Sequence, residues 1–443
     1  MKIRFVTLGC KLNFAESSAI GKALLQRGHT RAKQGEEADI CVINTCSVTD
    51  NADHKDRQTI HRIHRQNPNA IIIVTGCYAQ LQPEQIAQIE GVNYVLGQNE
   101  KYEITQLVDD IERLRDSLED ASLQDAASGY SLEAQKIRVA NIREVDEFHG
   151  AYSKDDRTRC FLKVQDGCNY FCTYCTIPYA RGKSRNPAIS DIIKDAQEAI
   201  SQGAKEIILT GVNIGDFGRS TGESFLELLR ALDGLEAKGE RQEAKGMDYR
   251  IRISSCEPNL LTDEIIDFVA QSKHFAPHFH IPLQSGSNEV LSIMKRRYTR
   301  ELFEERVQHI KQVMPHAFIG VDCMVGVKGE TEECFNDYVD FIKRLDVSQL
   351  HVFTYSERAN TRMLELDVCI VPKAERQRRS KILHEISEEK TRTFYANQTG
   401  RETIVLWESK KEGDQMAGFT ENYVKVYRPY DKAKVNTFEV IRL

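Results

Sequence analysis

Short apolar runs alternate with helix-like stretches along most of the chain, and this alternation limits the fold more than any other feature. Residues 3–8, 40–43 and 71–74 read as strands, with helices over about 14–28, 50–66, 81–89 and 100–116. Apolar strands separated by helices pair in parallel and carry helices on both faces. Right-handed crossovers then place the carboxyl ends of the strands on one edge of the sheet, where such folds bind ligands. Residues 1–116 are therefore expected to form a doubly wound α/β domain. Each run is followed closely by a cysteine, in Gly9-Cys10, Asn44-Thr45-Cys46 and Thr75-Gly76-Cys77. On that edge Cys10, Cys46 and Cys77 would converge as a metal site. The other reading is three separately buried cysteines, which are common in cores and which suit Cys41 inside its strand.

A second series of strand-like runs, at 161–164, 206–209, 250–254, 278–281, 319–324 and 350–353, is spaced by helices near 189–202, 223–233, 262–272, 300–313 and 330–345. Six βα units are too few to close an eight-unit barrel, so residues 158–395 are expected to form a partial (βα)6 barrel. The loop after its first strand holds Cys168, Cys172 and Cys175 in a C-x3-C-x2-C spacing. Three thiolates can hold three irons of a cubane cluster, whereas a fully protein-ligated 4Fe–4S cluster needs four. The fourth iron stays free for a small molecule, as the open position does on a catalytic zinc. A structural zinc site and a chance grouping are the alternatives. Zinc would want a fourth Cys or His nearby, and residues 161–255 contain none beyond these three cysteines.

At 443 residues the chain is long enough for two to four domains. No apolar run approaches the roughly 20 residues that span a bilayer, and the amino terminus lacks a signal-like apolar stretch. Twelve cysteines without such a signal favour reduced thiols and metal ligation over disulfides. A cytoplasmic enzyme with no membrane partner is the simplest reading. The net charge of −6 does not advertise nucleic-acid binding, whose footprint is a local basic patch. Candidates are Lys55, Arg57, Arg62 and Arg65; Lys295, Arg296, Arg297 and Arg300; and Lys373, Arg376, Arg378, Arg379 and Lys381. Each alone reads as a solvated helix face. Residues 117–157 read as a connector, with a linker over 117–129 and a strand near 137–142. Residues 398–443 hold short alternating runs at 403–407, 415–419, 423–427 and 437–442, as expected of a small antiparallel β-barrel.

Thr-Leu-Gly-Cys-Lys-Leu-Asn at 7–13, Asn-Thr-Cys at 44–46, Thr-Gly-Cys at 75–77 and the C-x3-C-x2-C loop together resemble the methylthiotransferase family of radical S-adenosylmethionine (SAM) enzymes. The resemblance implies two 4Fe–4S clusters. Cys168, Cys172 and Cys175 would hold one, whose open iron chelates SAM and cleaves it to a 5′-deoxyadenosyl radical. Cys10, Cys46 and Cys77 would hold an auxiliary cluster carrying the sulfur, so that both face one substrate carbon. It further implies that Tyr174 lies against the adenine of SAM, that Gly211 and Asn213 meet its amino group, and that Ser254, Glu257 and Gln284 lie in SAM-binding loops. Two departures stand out. Lys328 replaces a usual proline, which leaves that loop expected to be less rigid. Asn360 replaces a usual glycine, and asparagine tolerates positive φ. Residues 418–423 resemble the TRAM module, which implies RNA binding with Tyr423, Tyr427 and Tyr430 available to stack on bases. A module that merely packs on the barrel is the alternative.

Within the family the motifs look most like the branch acting on N6-threonylcarbamoyladenosine at position 37 of tRNA. The implied partners are the tRNA anticodon loop, an electron donor and a sulfur source, with the chain acting as a monomer. Alternatives are the same chemistry on N6-isopentenyladenosine 37 or a ribosomal-protein aspartate, a radical-SAM enzyme with a purely electron-transfer second cluster, and a non-enzymatic iron–sulfur RNA-binding factor.

Overall fold

The computed structural model describes residues 1–33, 35–120, 136–153, 158–235 and 248–443. The chain divides into two compact units, residues 1–147 with 176–183, and residues 148–175 with 184–443.

In the first unit the order is β1 (Lys2–Thr7), α1 (Lys11–Gln26), β2 (Thr30–Arg31), β3 (Ile40–Thr45), α2 (Asp50–Gln66), β4 (Ile71–Gly76), α3 (Cys77–Leu81), α4 (Pro83–Ala87), β5 (Val92–Leu96), α5 (Ile104–Asp120), β6 (Ile137–Arg138) and α6 (Ile177–Arg181). The strands form one parallel sheet in the order β2-β1-β3-β4-β5-β6. Side chains alternate across it. Ile40, Val42 and Ile73 pack with Ile20 and Leu24 of α1 and Leu107 and Ile111 of α5. Cys41, Ile43, Ile72 and Val74 pack with Ile60 and Ile63 of α2, Tyr78 of α3 and Ile86 of α4. Burial on both faces explains why β3 and β4 are nearly continuous β-branched runs. Helix α2 starts at Thr49, whose side chain accepts from the Ala52 amide, with Asp50 and Asp53 in its first turn. The sequence places 137–142 in a strand leading onward, but Ile137–Arg138 instead pairs with β5 as the sixth strand. Of the expected linker, α5 takes the residues up to Asp120, and 121–129 lie outside the described residues.

In the second unit, β7 (Arg159–Lys163), α7 (Ile189–Ser201), β8 (Glu206–Thr210), α8 (Phe225–Asp233), β9 (Arg250–Ile253), α9 (Asp263–Gln271), β10 (His278–Gln284), α10 (Asn288–Ile293), α11 (Arg300–Val313), β11 (Phe318–Val325), α12 (Glu332–Arg344) and β12 (Gln349–Thr354) build the six-strand open barrel. Parallel triplets β7-β8-β9 and β10-β11-β12 are joined by bridges between Ile251 and Phe275 and between Ser255 and His280. Leu162, Leu209, Ile253, Ile281, Val321 and Leu350 share one core with the surrounding helices. Alternate residues, among them Lys163, Thr210, Arg252, His280, Asp322 and His351, therefore face the interior.

The 24-residue helix α13 (Lys373–Ala396) follows the barrel and sets Leu383 and Ile386 into its core. It corrects the third basic patch. Arg379 is 4% exposed and pairs with Glu330 at 2.7 Å, Glu375 at 2.8 Å and Glu332 at 3.1 Å, and Arg376 pairs with Glu357 at 2.5 Å. These arginines pin the helix to the barrel. Lys328 is likewise buried, donating to the Leu366 carbonyl at 2.6 Å, so a charge-assisted hydrogen bond holds the loop that was expected to loosen. Asn360 adopts φ +64°, as its residue type permits.

Strands β13 (Glu402–Glu412), β14 (Gln415–Thr420), β15 (Lys425–Pro429) and β16 (Phe438–Arg442) form a curled antiparallel half-barrel in the order β15-β14-β13-β16. A register shift between Trp407 and Lys411 bends the long first strand. Barrel arginines hold this sheet, Arg250 donating to the Phe419 carbonyl at 3.0 Å and Arg252 to the Glu421 carbonyl at 3.1 Å. Tyr423 sits in this joint, its ring 4.9 Å from His278 and 5.5 Å from Phe318. It is thus a packing residue and not the base platform expected of it. Tyr427 is 49% exposed. No helix among the described residues is long and apolar enough to cross a membrane.

Candidate metal centres

In the first unit, the carboxyl ends of β1, β3 and β4 deliver Cys10, Cys46 and Cys77 to one place. Gly9, at φ +90°, lets the first loop close on the second: a Cβ there would fall 2.5 Å from Cys46 Cβ and 2.9 Å from its Sγ. Gly76, at φ +102°, lies equally tight against the Thr45 backbone. Burial pushes the Cys46 thiol up to about 12, and the neighbouring Cys77 and Cys10 add to that. Burial raises Cys77 as well, while Arg181 and Lys101 offset part of the rise.

These two cations belong to a buried network that sequence reasoning missed. Gln98 donates to Cys77 Sγ at 3.3 Å and accepts from Lys101 at 2.5 Å. Lys101 pairs with Glu16 at 2.6 Å. Arg181 donates to both Glu16 oxygens, at 3.1 and 3.2 Å, and to Asn13 Oδ1 at 2.7 Å. Asn13 in turn donates to the Leu8 and Thr45 carbonyls, fixing the first two cysteine loops to each other. Glu16, Lys101 and Arg181 are at most 1% exposed. Asn13 is visible in the sequence motif, but nothing local marks Glu16, Gln98, Lys101 or Arg181, whose partners lie far along the chain.

In the second unit, Cys168, Cys172 and Cys175 sit on the loop after β7. Gln165, fully buried, clamps this loop to the exit of β8. Its Oε1 accepts from the Val212 and Asn213 amides at 3.0 and 2.9 Å, and its Nε2 donates to the Gly167 carbonyl at 2.7 Å. A side chain at Gly211 would meet that same oxygen. The Tyr170 amide points at Cys168 Sγ, 3.4 Å away. Burial pushes Cys168 up to about 12. Arg296, assigned by sequence to a surface patch, is buried here: it donates to Cys172 Sγ at 3.1 Å and to the Tyr174 hydroxyl at 3.5 Å, and forms an ion pair with Glu257. Burial raises the Glu257 carboxyl, and Arg296 counters it. Asn213 is 3% exposed and its side-chain carboxamide makes no well-formed hydrogen bond, although it lies beside the Tyr170 hydroxyl. Ser254 is buried at the end of β9. Gln284 ends β10 at φ +65° and lies half-buried. Tyr174 packs beside Val290, Met294 and Tyr355.

The donor sets fit the expected groups. Each centre offers three soft thiol donors; burial disfavours the bare thiolates of Cys46 and Cys77 in the first and of Cys168 and Cys172 in the second, and an iron cluster would stabilise them. Beside the second centre, the orphaned Asn213 carboxamide and the Glu257 carboxylate suit the polar end of an amino acid.

Residues 2–97 match the family described as "Uncharacterized protein family UPF0004", and residues 162–342 match the radical SAM superfamily. The threonylcarbamoyladenosine tRNA methylthiotransferase MtaB of Bacillus subtilis is 37% identical over 96% of this chain and 89% of its own length. Its Aquifex aeolicus namesake is 34% identical over 97% of each. The tRNA-2-methylthio-N(6)-dimethylallyladenosine synthase of Pelotomaculum thermopropionicum is 30% identical over 94% of this chain and 88% of that protein. The solved radical SAM methyltransferase TsrM from Kitasatospora setae shares the fold, with a TM-score of 0.55 at 16% identity over 80% of this chain and 72% of that one. The chain belongs to the radical-SAM methylthiotransferase family, among its MtaB-type members.

Proposed function

We propose that the protein adds a methylthio group to C2 of N6-threonylcarbamoyladenosine at position 37 of tRNA. The observation that carries the substrate is the grading of relatives: those named for threonylcarbamoyladenosine run from 30% up to 37% identity over nearly the full chain, and those named for dimethylallyladenosine stand at 29–30%.

When bound, two 4Fe–4S clusters and SAM supply the radical chemistry and the sulfur, while the protein supplies binding, orientation and electrostatics. Cys168, Cys172 and Cys175 hold one cluster, and Cys10, Cys46 and Cys77 the other. Gln165 fixes the first cysteine loop against the β8 exit, where Asn213 binds the SAM amino-acid end with Ser254, Glu257 and Gln284. Arg296 neutralises Glu257 and holds Tyr174 in place. Gln98 orients Cys77. Lys55, Arg62 and Arg65, which line a groove on α2 with His61 and His64, are basic residues available to meet tRNA phosphates, and Tyr427 is available to meet a base. The anticodon loop is the partner, with an external electron donor and sulfur source, and the chain acts as a monomer in the cytoplasm.

The test is mass spectrometry of tRNA nucleosides from cells lacking the gene and from complemented cells. Loss and rescue of 2-methylthio-N6-threonylcarbamoyladenosine is the expected result. A response of the isopentenyl product instead would overturn the substrate.

A further inference from the structure

On the inner face of the barrel three potential metal ligands meet, none of them a cysteine. His280 of β10, Asp322 of β11 and His351 of β12 offer donor atoms that all lie within 4.8 Å of one another. His280 Nε2 is 2.7 Å from Asp322 Oδ1, and His351 Nδ1 is 3.5 Å from the same oxygen. We propose that these three residues bind a single divalent transition-metal ion.

The sheet register builds this cluster. Asp322 lies directly across from His351, and His280 lies across from Gly320. Glycine at 320 removes the side chain that would stand between the two imidazoles; a Cβ there would lie 3.7 Å from both rings. The neighbours Phe279, Ile281, Val321, Cys323 and Leu350 point into the helix-facing core, which fixes the strands and leaves the donors turned inward.

The charge balance favours a cation. Buried carboxylates are ordinarily paired or coordinate a metal. Among the described residues no Lys or Arg forms an ion pair with Asp322; its partners are the two histidines. Donors sharing one ion at about 2.0–2.2 Å stand roughly 3–4 Å apart; the 3.5 Å between Asp322 and His351 falls in that range, and the 2.7 Å hydrogen bond between Asp322 and His280 would lengthen slightly to admit the ion. Two imidazoles and one carboxylate suit Fe(II), Mn(II) or Zn(II) and leave coordination positions open. Those positions face the interior, where an oxygen-bearing ligand can occupy them. The three side chains are between 17% and 38% exposed, so the site is reachable.

The test is binding of Zn²⁺ and of Mn²⁺ to the anaerobically reconstituted full chain, zinc by metal analysis after desalting and manganese by the electron paramagnetic resonance signal of the free ion. Wild type is expected to bind one equivalent, weakened at least tenfold by Asp322→Asn and by His351→Asn with iron content unchanged. Loss of iron in Asp322→Asn would mark a folding defect, and His351→Asn, whose ring is the most exposed of the three, then decides. Absence of saturable binding of either ion to wild type, or equal affinity in the folded variants, would overturn the proposal.

Discussion

Replacing Glu16 by glutamine keeps the shape of the side chain and removes its charge. Lys101 and Arg181, each 1% exposed, then lose the carboxylate that they contact at 2.6 and 3.1 Å. Breaking a buried ion pair by removing one partner costs about 3–5 kcal/mol, because the remaining charge is stranded. In the buried amides of α1 and α6 that open together with this network, hydrogen exchange should accelerate by roughly 150- to 5,000-fold, at 1.36 kcal/mol per decade. The assay is hydrogen–deuterium exchange mass spectrometry, with Asp110→Asn as a control, since the exposed Arg113–Asp110 pair contributes little. Arg181 and Lys101 both act on Cys77, so thiolates held in a cluster share the role of counter-charge. The acceleration is therefore expected to be larger without iron than with it. An effect below about fivefold in both forms would refute the view that this network organises the first cysteine set.

Three further outcomes are expected. Gly9→Ala drives a methyl into Cys46 and strains a φ of +90°, so the reconstituted protein should lose one cluster's share of iron while keeping the SAM-cleaving cluster; retention of both sets of iron would count against the geometry. Tyr427→Ala should weaken tRNA binding without altering thermal stability, whereas Tyr423→Ala should lower stability, because Tyr423 packs between His278 and Phe318; filter binding and calorimetry separate the two. Burial holds the His316 imidazole down from 6.5 to about 4, so the unfolded chain binds a proton first as pH falls, and stability drops between pH 6.5 and 4. His316→Gln should flatten that part of the profile.

Much of the fold was legible because strand and helix periods differ and cysteines close the strands. The parallel sheet, the six-strand barrel and the curled terminal sheet all follow from such local patterns. The start of helix α13 reads from sequence as a solvated helix face because it is rich in arginine, and only the fold turns Arg376 and Arg379 inward. Arg296 was hidden in the same way: a charged residue in a basic run looks solvated until the fold surrounds it with Glu257, Tyr174 and Cys172. Long-range partners explain the rest. The cluster motifs are contiguous and readable, whereas the Gln98–Lys101–Glu16–Arg181 network joins residues up to 165 positions apart.

The most direct test of the account compares Cys10→Ala with Cys168→Ala in reconstituted, oxygen-free enzyme, measuring 5′-deoxyadenosine and the methylthio product on tRNA together. Division of labour between the cysteine sets predicts that Cys10→Ala still forms 5′-deoxyadenosine but no methylthio product, and that Cys168→Ala forms neither. Methylthiolation by Cys10→Ala at the wild-type rate, or SAM cleavage by Cys168→Ala, would contradict it.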